Sequence, residues 1–171
     1  MTFDMDPACE TSVVVAPSAT ELFAHDPGQA RAKILALEAA MRTEIDRGTL
    51  VENTKTMPLE HMFIPGAYAR SLTIPAGTLI VGKIHKHACM NFVERGEITV
   101  LTEKGTKTIT APAFFPSEAG VKRVGLAHTD TVWITVHPTE LTDLDELEKE
   151  LTADTYEEYQ LFKAPGQGVL Q

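Results

Sequence analysis

The stretch Gly82-Lys83-Ile84-His85-Lys86-His87 decides how the rest of the chain is read. Strand side chains alternate between two faces, so Lys83, His85 and His87 are predicted on one side and Ile84 and Lys86 on the other. Two imidazoles at i and i+2 stand about 7 Å apart, a spacing that one metal ion can bridge. Upstream, Pro75-Ala76-Gly77 supplies a turn, so a strand is predicted from Thr78 to His87.

Working outward, the same pattern repeats. Tyr68 to Ile74 alternates, and Asn91 to Val93, Glu97 to Thr102, Lys107 to Thr110 and Ala113 to Phe115 follow. Val121 to Leu126 and Thr131 to His137 close the set, with Gly96 and Lys104-Gly105 as turns. Short strands at intervals of about ten residues predict an antiparallel sandwich or barrel, here over residues 58–138. Residues 1–57 hold an arm with Pro7, Pro17 and Pro27, then an amphipathic helix carrying Ile34, Leu37, Met41 and Ile45 and ending before Gly48. In residues 139–171, Thr142 is the expected N-cap of a helix with Leu144, Leu147 and Leu151, and Asp145 takes the capping-box position. A second short helix is predicted around Tyr156, Tyr159 and Phe162, ahead of Pro165-Gly166.

The chain of 171 residues, 43% of them hydrophobic, fits one globular domain with attached segments. Its formal net charge of −9 argues against nucleic acid or an anionic membrane as partner. The charge is unevenly placed: residues 1–57 carry −4, residues 58–138 carry +2 and residues 139–171 carry −7. No basic cluster followed by an apolar core opens the chain, and no apolar run is long enough to span a bilayer, so a cytoplasmic protein is expected. Cys9 and Cys89 match no zinc spacing and make no disulfide framework.

The stretch Ile74-Pro-Ala-Gly77 … His85-Lys-His87 … Gly96-Glu-Ile-Thr-Val100 resembles the first motif of the cupin family. Ala111-Pro-Ala-Phe-Phe-Pro-Ser-Glu-Ala-Gly120-Val-Lys-Arg123 resembles its second. The resemblance covers about residues 60–138 and implies a mainly β protein, a small antiparallel jelly-roll barrel whose inward His-x-His pair holds a divalent metal such as Fe, Mn or Zn. It also implies a homo-oligomer, most simply a dimer, as do the apolar stripes of both flanking helices. The longer string from Pro65-Gly66-x-Tyr68-x-Arg70 through Asp130-Thr-Val-Trp133 to His137 is similar to small cupin-like proteins encoded by tailed bacteriophages. That likeness points to sequestration of a host metabolite or to a virion accessory role.

The departures from the motifs bear on the chemistry. Where the first motif places a Glu, this chain has Cys89 counted back from Gly96, or Asn91 counted forward from His87. Arg123 stands where the second motif supplies its last His. The metal set is therefore reduced to His85 and His87, with His61, His128 or His137 left to complete it.

A second reading starts from cations. Tyr68 and Arg70 share one strand face, Lys83, His85 and His87 another, and Arg123 replaces a metal ligand. Buried cations require acids or an anionic ligand, and the barrel segment contains few acids. The cavity is therefore expected to bind a small anionic molecule: a nucleotide, a phosphosugar or a carboxylate. Arg70, Lys83 and Arg123 supply charge, and Tyr68, His85, His87 and Asn91 hydrogen bonds; His61 reaches the same cavity, and Trp133 stacks on a flat ligand or packs in the core. A metal-dependent isomerase or dioxygenase stays open as an alternative, with catalysis undecided.

Overall fold

A tight hairpin, β6 (Glu97–Thr102) and β7 (Gly105–Thr110), lies at the centre of the topology, and the other strands nest around it. In the computed structural model, which describes residues 23–24, 28–48 and 57–164, β5 (Cys89–Arg95) pairs with β8 (Ala113–Ser117). Then β3 (Leu79–Val81) pairs with β9 (Val124–Ala127), and β2 (Ala67–Ile74) with β10 (Thr131–Pro138). Each pair is antiparallel, and each encloses the previous one in sequence. Cross-pairing of β10 with β5 and of β9 with β6 joins these ribbons into two sheets, β1-β2-β10-β5-β8 and β3-β9-β6-β7. First strand against last, folded over on itself, is the jelly-roll arrangement. The protein is mainly β, as expected.

The layers reflect side-chain chemistry. Ile74, Val93, Ile98, Val100, Ile109 and Ala127 fill the space between the sheets. Each large apolar side chain buried there contributes roughly 1.5–3 kcal/mol. Helix α1 (Ala30–Asp46) presents Ala30, Ile34 and Leu37, one stripe at helical spacing, to Leu101 and Val124. Lys122, only 1% exposed, reaches α1 and contacts both carboxylate oxygens of Glu38 at 3.1 and 3.0 Å. The expected N-terminal arm, Cys9 and the Pro165-Gly166 tail lie outside the described residues.

Three sequence expectations are corrected. The strand Thr78–His87 is interrupted: β3 ends at Val81, Gly82 and Lys83 fall between strands, and β4 is only Ile84–His85. An additional edge strand, β1 (Leu59–Ile64), pairs with β2. Helix α2 (Leu144–Leu151) is capped by Asp143 rather than Thr142, its carboxylate accepting from the backbone N–H of Asp145 and Glu146. A short strand, β11 (Thr152–Ala153), and helix α3 (Tyr156–Lys163) complete the order. Among the described residues no helix is long and apolar enough to cross a membrane.

Candidate functional site

A cavity of ≈ 440 Å³ opens between the two sheets, with α2 lying along its mouth. Its walls are mostly apolar: Leu72 and Ile74 from β2, Ile80 from β3, Ile98 and Val100 from β6, and Leu147 from α2. The polar side chains converge on one region. Pleating puts Tyr68 and Arg70 of β2, and Trp133, Thr135 and His137 of β10, on the same inner face. His85 of β4 borders the same space.

The backbone of His85 is fixed by the segment C-terminal to the barrel. Thr152 of β11 pairs with His85, and the Lys86 N–H donates to Leu151 O at 2.8 Å. From within the barrel, the Gly120 N–H donates to His85 O at 2.8 Å. Ile84, the other residue of β4, packs with Ala153, Tyr156 and Tyr159. The C-terminal helices therefore set the position of His85. Their acids also explain the charge imbalance: Lys83 Nζ pairs with Glu148 at 2.6 Å and Asp154 at 2.9 Å, Lys86 Nζ with Glu158 at 3.1 Å, and His87 Nε2 meets Glu150 at 3.0 Å.

His85 keeps different company from that expected. Its Nδ1 lies 3.2 Å from Cys89 Sγ, and its ring centroid is 5.1 Å from that of His137. Ligand-capable atoms of His85, Cys89 and His137 all lie within 4.8 Å of one another, and all three residues are buried. His87 is outside this group, its ring edge-on to Phe162 at 5.2 Å. In place of the expected His85–His87 pair the fold brings together His85, Cys89 and His137, because β4 ends at His85 and Lys86 and His87 lie in a bend, where the alternation that would have aligned the two histidines no longer holds. His128 is also elsewhere, its Nε2 2.7 Å from Thr99 Oγ1.

The remaining expected residues divide. His61, Tyr68, Arg70, Lys83, Arg123 and Trp133 border the cavity. Lys83 does so from an exposed rim, with its charge committed to Glu148 and Asp154, so it is corrected from an inward cation to a clasp on α2 and the residues just beyond it. Asn91 is fully buried and does not border the cavity; its Oδ1 accepts from Trp133 Nε1 at 3.0 Å and its Nδ2 donates to Phe115 O. It therefore positions Trp133, which also meets Phe115 edge-on at 5.6 Å. His61 Nδ1 is 2.8 Å from the Tyr68 hydroxyl, and Tyr68 in turn stacks near His137.

Burial dominates the electrostatics. It pushes His85 down to about 3, with the positive charge of Arg123, a charged His137 and Arg70 adding to the effect. His137 falls to about 4, again through burial first and Arg70 second. Both rings are therefore neutral near neutral pH. Burial raises the Cys89 thiol while Arg123, Asn91 and Arg70 pull it back, so the resting group is a thiol facing an imidazole nitrogen. Burial also lowers Arg123, whose guanidinium lies 5.9 Å over the Trp133 ring. Among the described residues neither Arg70 nor Arg123 has a carboxylate within 4.0 Å.

The residues fit a soft divalent ion. One thiolate and two neutral imidazoles suit zinc or iron better than manganese, and Nδ1 of His137 is buried without a hydrogen-bond partner. Sequence reasoning had a signal for Cys89, which takes the position of the family's Glu counted from Gly96. It had none that singled out His137 from the other histidines.

No family model matches the sequence, and no curated protein matches it. Among solved structures, acetylacetone dioxygenase from Acinetobacter johnsonii is similar at 16% identity over 48% of this chain, with a TM-score of 0.42. Ectoine synthase from P. lautus is similar at 18% identity over 57% of this chain and 74% of its own, with a TM-score of 0.47. A cupin family protein with a double-stranded β-helix fold from Methanocaldococcus jannaschii is similar at 14% identity over 53% of this chain and 87% of its own, with a TM-score of 0.43. The chain spans 59% of the dioxygenase. At identities of 14–18% and TM-scores of 0.42–0.47 these likenesses carry nothing about activity, and the jelly roll stands on its own strand pairings.

Proposed function

We propose that the protein binds a small anionic molecule inside the barrel. The observation that carries this reading is the pair of cavity-facing guanidiniums, Arg70 and Arg123, neither of which forms an ion pair within 4.0 Å among the described residues; the carboxylate that does act on Arg123, through its longer-range charge, is Glu103. A guanidinium in an apolar cavity is costly unless an anion meets it, and its donor fork matches a carboxylate or phosphate. The apolar walls and the Trp133 ring narrow the class. A sugar would leave hydroxyls against Ile74, Ile98 and Val100, whereas a carboxylate on an apolar or aromatic body satisfies both halves of the cavity. The likeness of the sequence to phage-encoded cupin-like proteins makes sequestration of a host metabolite the role that fits such binding.

The test is calorimetry and thermal-shift measurement with benzoate, phenylacetate and inorganic phosphate as probes, on the wild type and on Arg70→Met and Arg123→Met. Loss of one charge-assisted contact is expected to weaken carboxylate binding by about 10- to 100-fold. Wild-type affinity in both variants would sink the anion reading.

A second reading is favoured by the His85, Cys89 and His137 set with its unpartnered Nδ1. These three residues would hold a divalent metal, which when bound supplies Lewis-acid or redox chemistry to a ligand lying beside it. Here the chain's own groups act on the ligand: Arg70 and Arg123 orient its anionic end, α2 restricts water at the mouth, and Tyr68, hydrogen-bonded to His61, holds a proton at its hydroxyl. An isomerase or dioxygenase activity belongs to this reading. Metal content after purification, with and without Cys89→Ser, tests it.

A further inference from the structure

Along one side the two sheets do not pair. Strands β7 and β8 are the terminal strands of their sheets, each hydrogen-bonded to a single neighbouring strand among the described residues. Between them lies a second cavity of ≈ 480 Å³. Alternation along the two edges decides what faces it. Ile109 is buried on β7, so Lys107, two residues before it, projects from the same inner face. On β8 the same alternation turns Phe115 and the buried Ser117 inward. Val100, Arg123 and Trp133 border this cavity and the first one alike. The two spaces therefore meet at the guanidinium of Arg123 and the indole 5.9 Å from it.

The two ends of this interior differ in charge. At the α2 mouth the lining includes Asp145 and Glu148, and Asp154 shares Lys83 with Glu148. Residues 139–171, which supply these acids, carry −7. At the β7–β8 side Lys104 and Glu118 meet at 2.5 Å, tying the turn before β7 to the residue that follows β8, and their charges cancel. Lys107 has no ion pair within 4.0 Å among the described residues, so its charge is left to face the gap. An anion nearing the α2 mouth meets like charge. One nearing the β7–β8 gap meets an ammonium, with a guanidinium behind it.

We propose, on the reading that the barrel binds an anion, that a carboxylate or phosphate enters between β7 and β8, meeting Lys107 first and Arg123 second. The Ser117 hydroxyl on the facing edge offers a hydrogen bond along the way. Lys107 suits this role because an ammonium on a long flexible stem follows a moving anion, whereas the planar fork of Arg123 holds one in place. The bound anion lies against Arg70 and Arg123, so Lys107 lowers the barrier for entry and for exit together. Trp133 stands where the two cavities join and is the one tryptophan of the chain, so its fluorescence follows the passage.

Stopped-flow fluorescence of the full chain tests the path, using whichever of benzoate and phenylacetate binds more tightly, with far-UV circular dichroism as the check on folding. In low salt Lys107→Glu is expected to slow association about 10-fold and dissociation with it, leaving the equilibrium affinity within about 2-fold of wild type. Salt at about 0.5 M is expected to remove most of that difference. Lys107→Gln, which decides if the charge reversal disturbs the edge strand, is expected to slow association about 3-fold. Asp145→Lys, which reverses a charge at the opposite mouth, is expected to leave association unchanged. Association at the wild-type rate in both Lys107 variants overturns the path. So does faster association in Asp145→Lys, which would put entry at α2. Weaker affinity in Lys107→Glu with an unchanged association rate also overturns it, making Lys107 a contact of the bound ligand. In each of these cases the losses of affinity in Arg70→Met and Arg123→Met stand, so the path fails while the anion reading survives. Absence of binding by benzoate, phenylacetate and inorganic phosphate alike overturns both.

Discussion

The Cys89 thiol lies 3.2 Å from Nδ1 of a histidine, His85, that stays neutral down to about 3. Metal entry at this pair therefore displaces the proton of the thiol and none from the imidazoles. Zinc titration of chelator-treated protein near neutral pH is expected to release about one proton per ion, read with a pH indicator in weak buffer. Cys89→Ser is expected to abolish that release and to weaken binding by about 10-fold or more. Unchanged affinity in Cys89→Ser would remove the thiol from the metal set.

The same neutral histidines make the metal-free fold acid-sensitive. In the unfolded chain an imidazole titrates near 6.5, whereas in the fold His85 and His137 titrate at about 3 and about 4. Between those values the unfolded state binds protons that the folded state refuses. The contribution is complete above about pH 6.5 and is lost as pH falls toward the folded values, at up to about 1.4 kcal/mol per pH unit for each group. Urea midpoints are expected to fall from pH 7 to pH 5, less steeply in His137→Gln. A flat wild-type profile would contradict the burial of both rings.

The Lys122–Glu38 pair gives an asymmetric pair of substitutions. Glu38→Ala leaves a buried ammonium without its carboxylate and is expected to cost about 3–5 kcal/mol, whereas Lys122→Met removes the charge and keeps the volume, costing about 1 kcal/mol or less. Chemical denaturation of both variants measures the difference. Equal losses would show that Lys122 contributes through packing alone.

Gly96 turns the chain between β5 and β6 with φ of 90°, and a Cβ there would sit 2.6 Å from Thr131 Oγ1. Gly96→Ala meets both the left-handed backbone and a fixed neighbour, and is expected to destabilise by about 2–4 kcal/mol. A loss under about 1 kcal/mol in chemical denaturation would mean the β10 end can move aside.

The sheet side of this protein was readable because apolar alternation and glycine turns are local signals. Tyr68 with Arg70, and Trp133 with His137, were correctly paired on faces because β2 and β10 run eight residues each with inner-face alternation intact at those positions. The His-x-His stretch misled for the same reason: alternation holds only inside a strand, and β4 ends at His85, leaving Lys86 and His87 in a bend. Thr152 seats His85, and a pairing between residues so far apart in sequence leaves no local pattern. The role of Asn91 was likewise hidden, since it depends on meeting Trp133 across the β5–β10 pair. Lys83 misled through charge, because the acids that hold it lie on the other side of the whole barrel segment.

The pairing of β11 with β4 also orders events in time. On a ribosome every strand of the two sheets emerges before Thr152, so His85 gains this pairing partner only after the barrel strands have been made. The geometry of the His85, Cys89 and His137 group is therefore completed by a segment that follows the barrel in the chain and belongs to neither of its sheets.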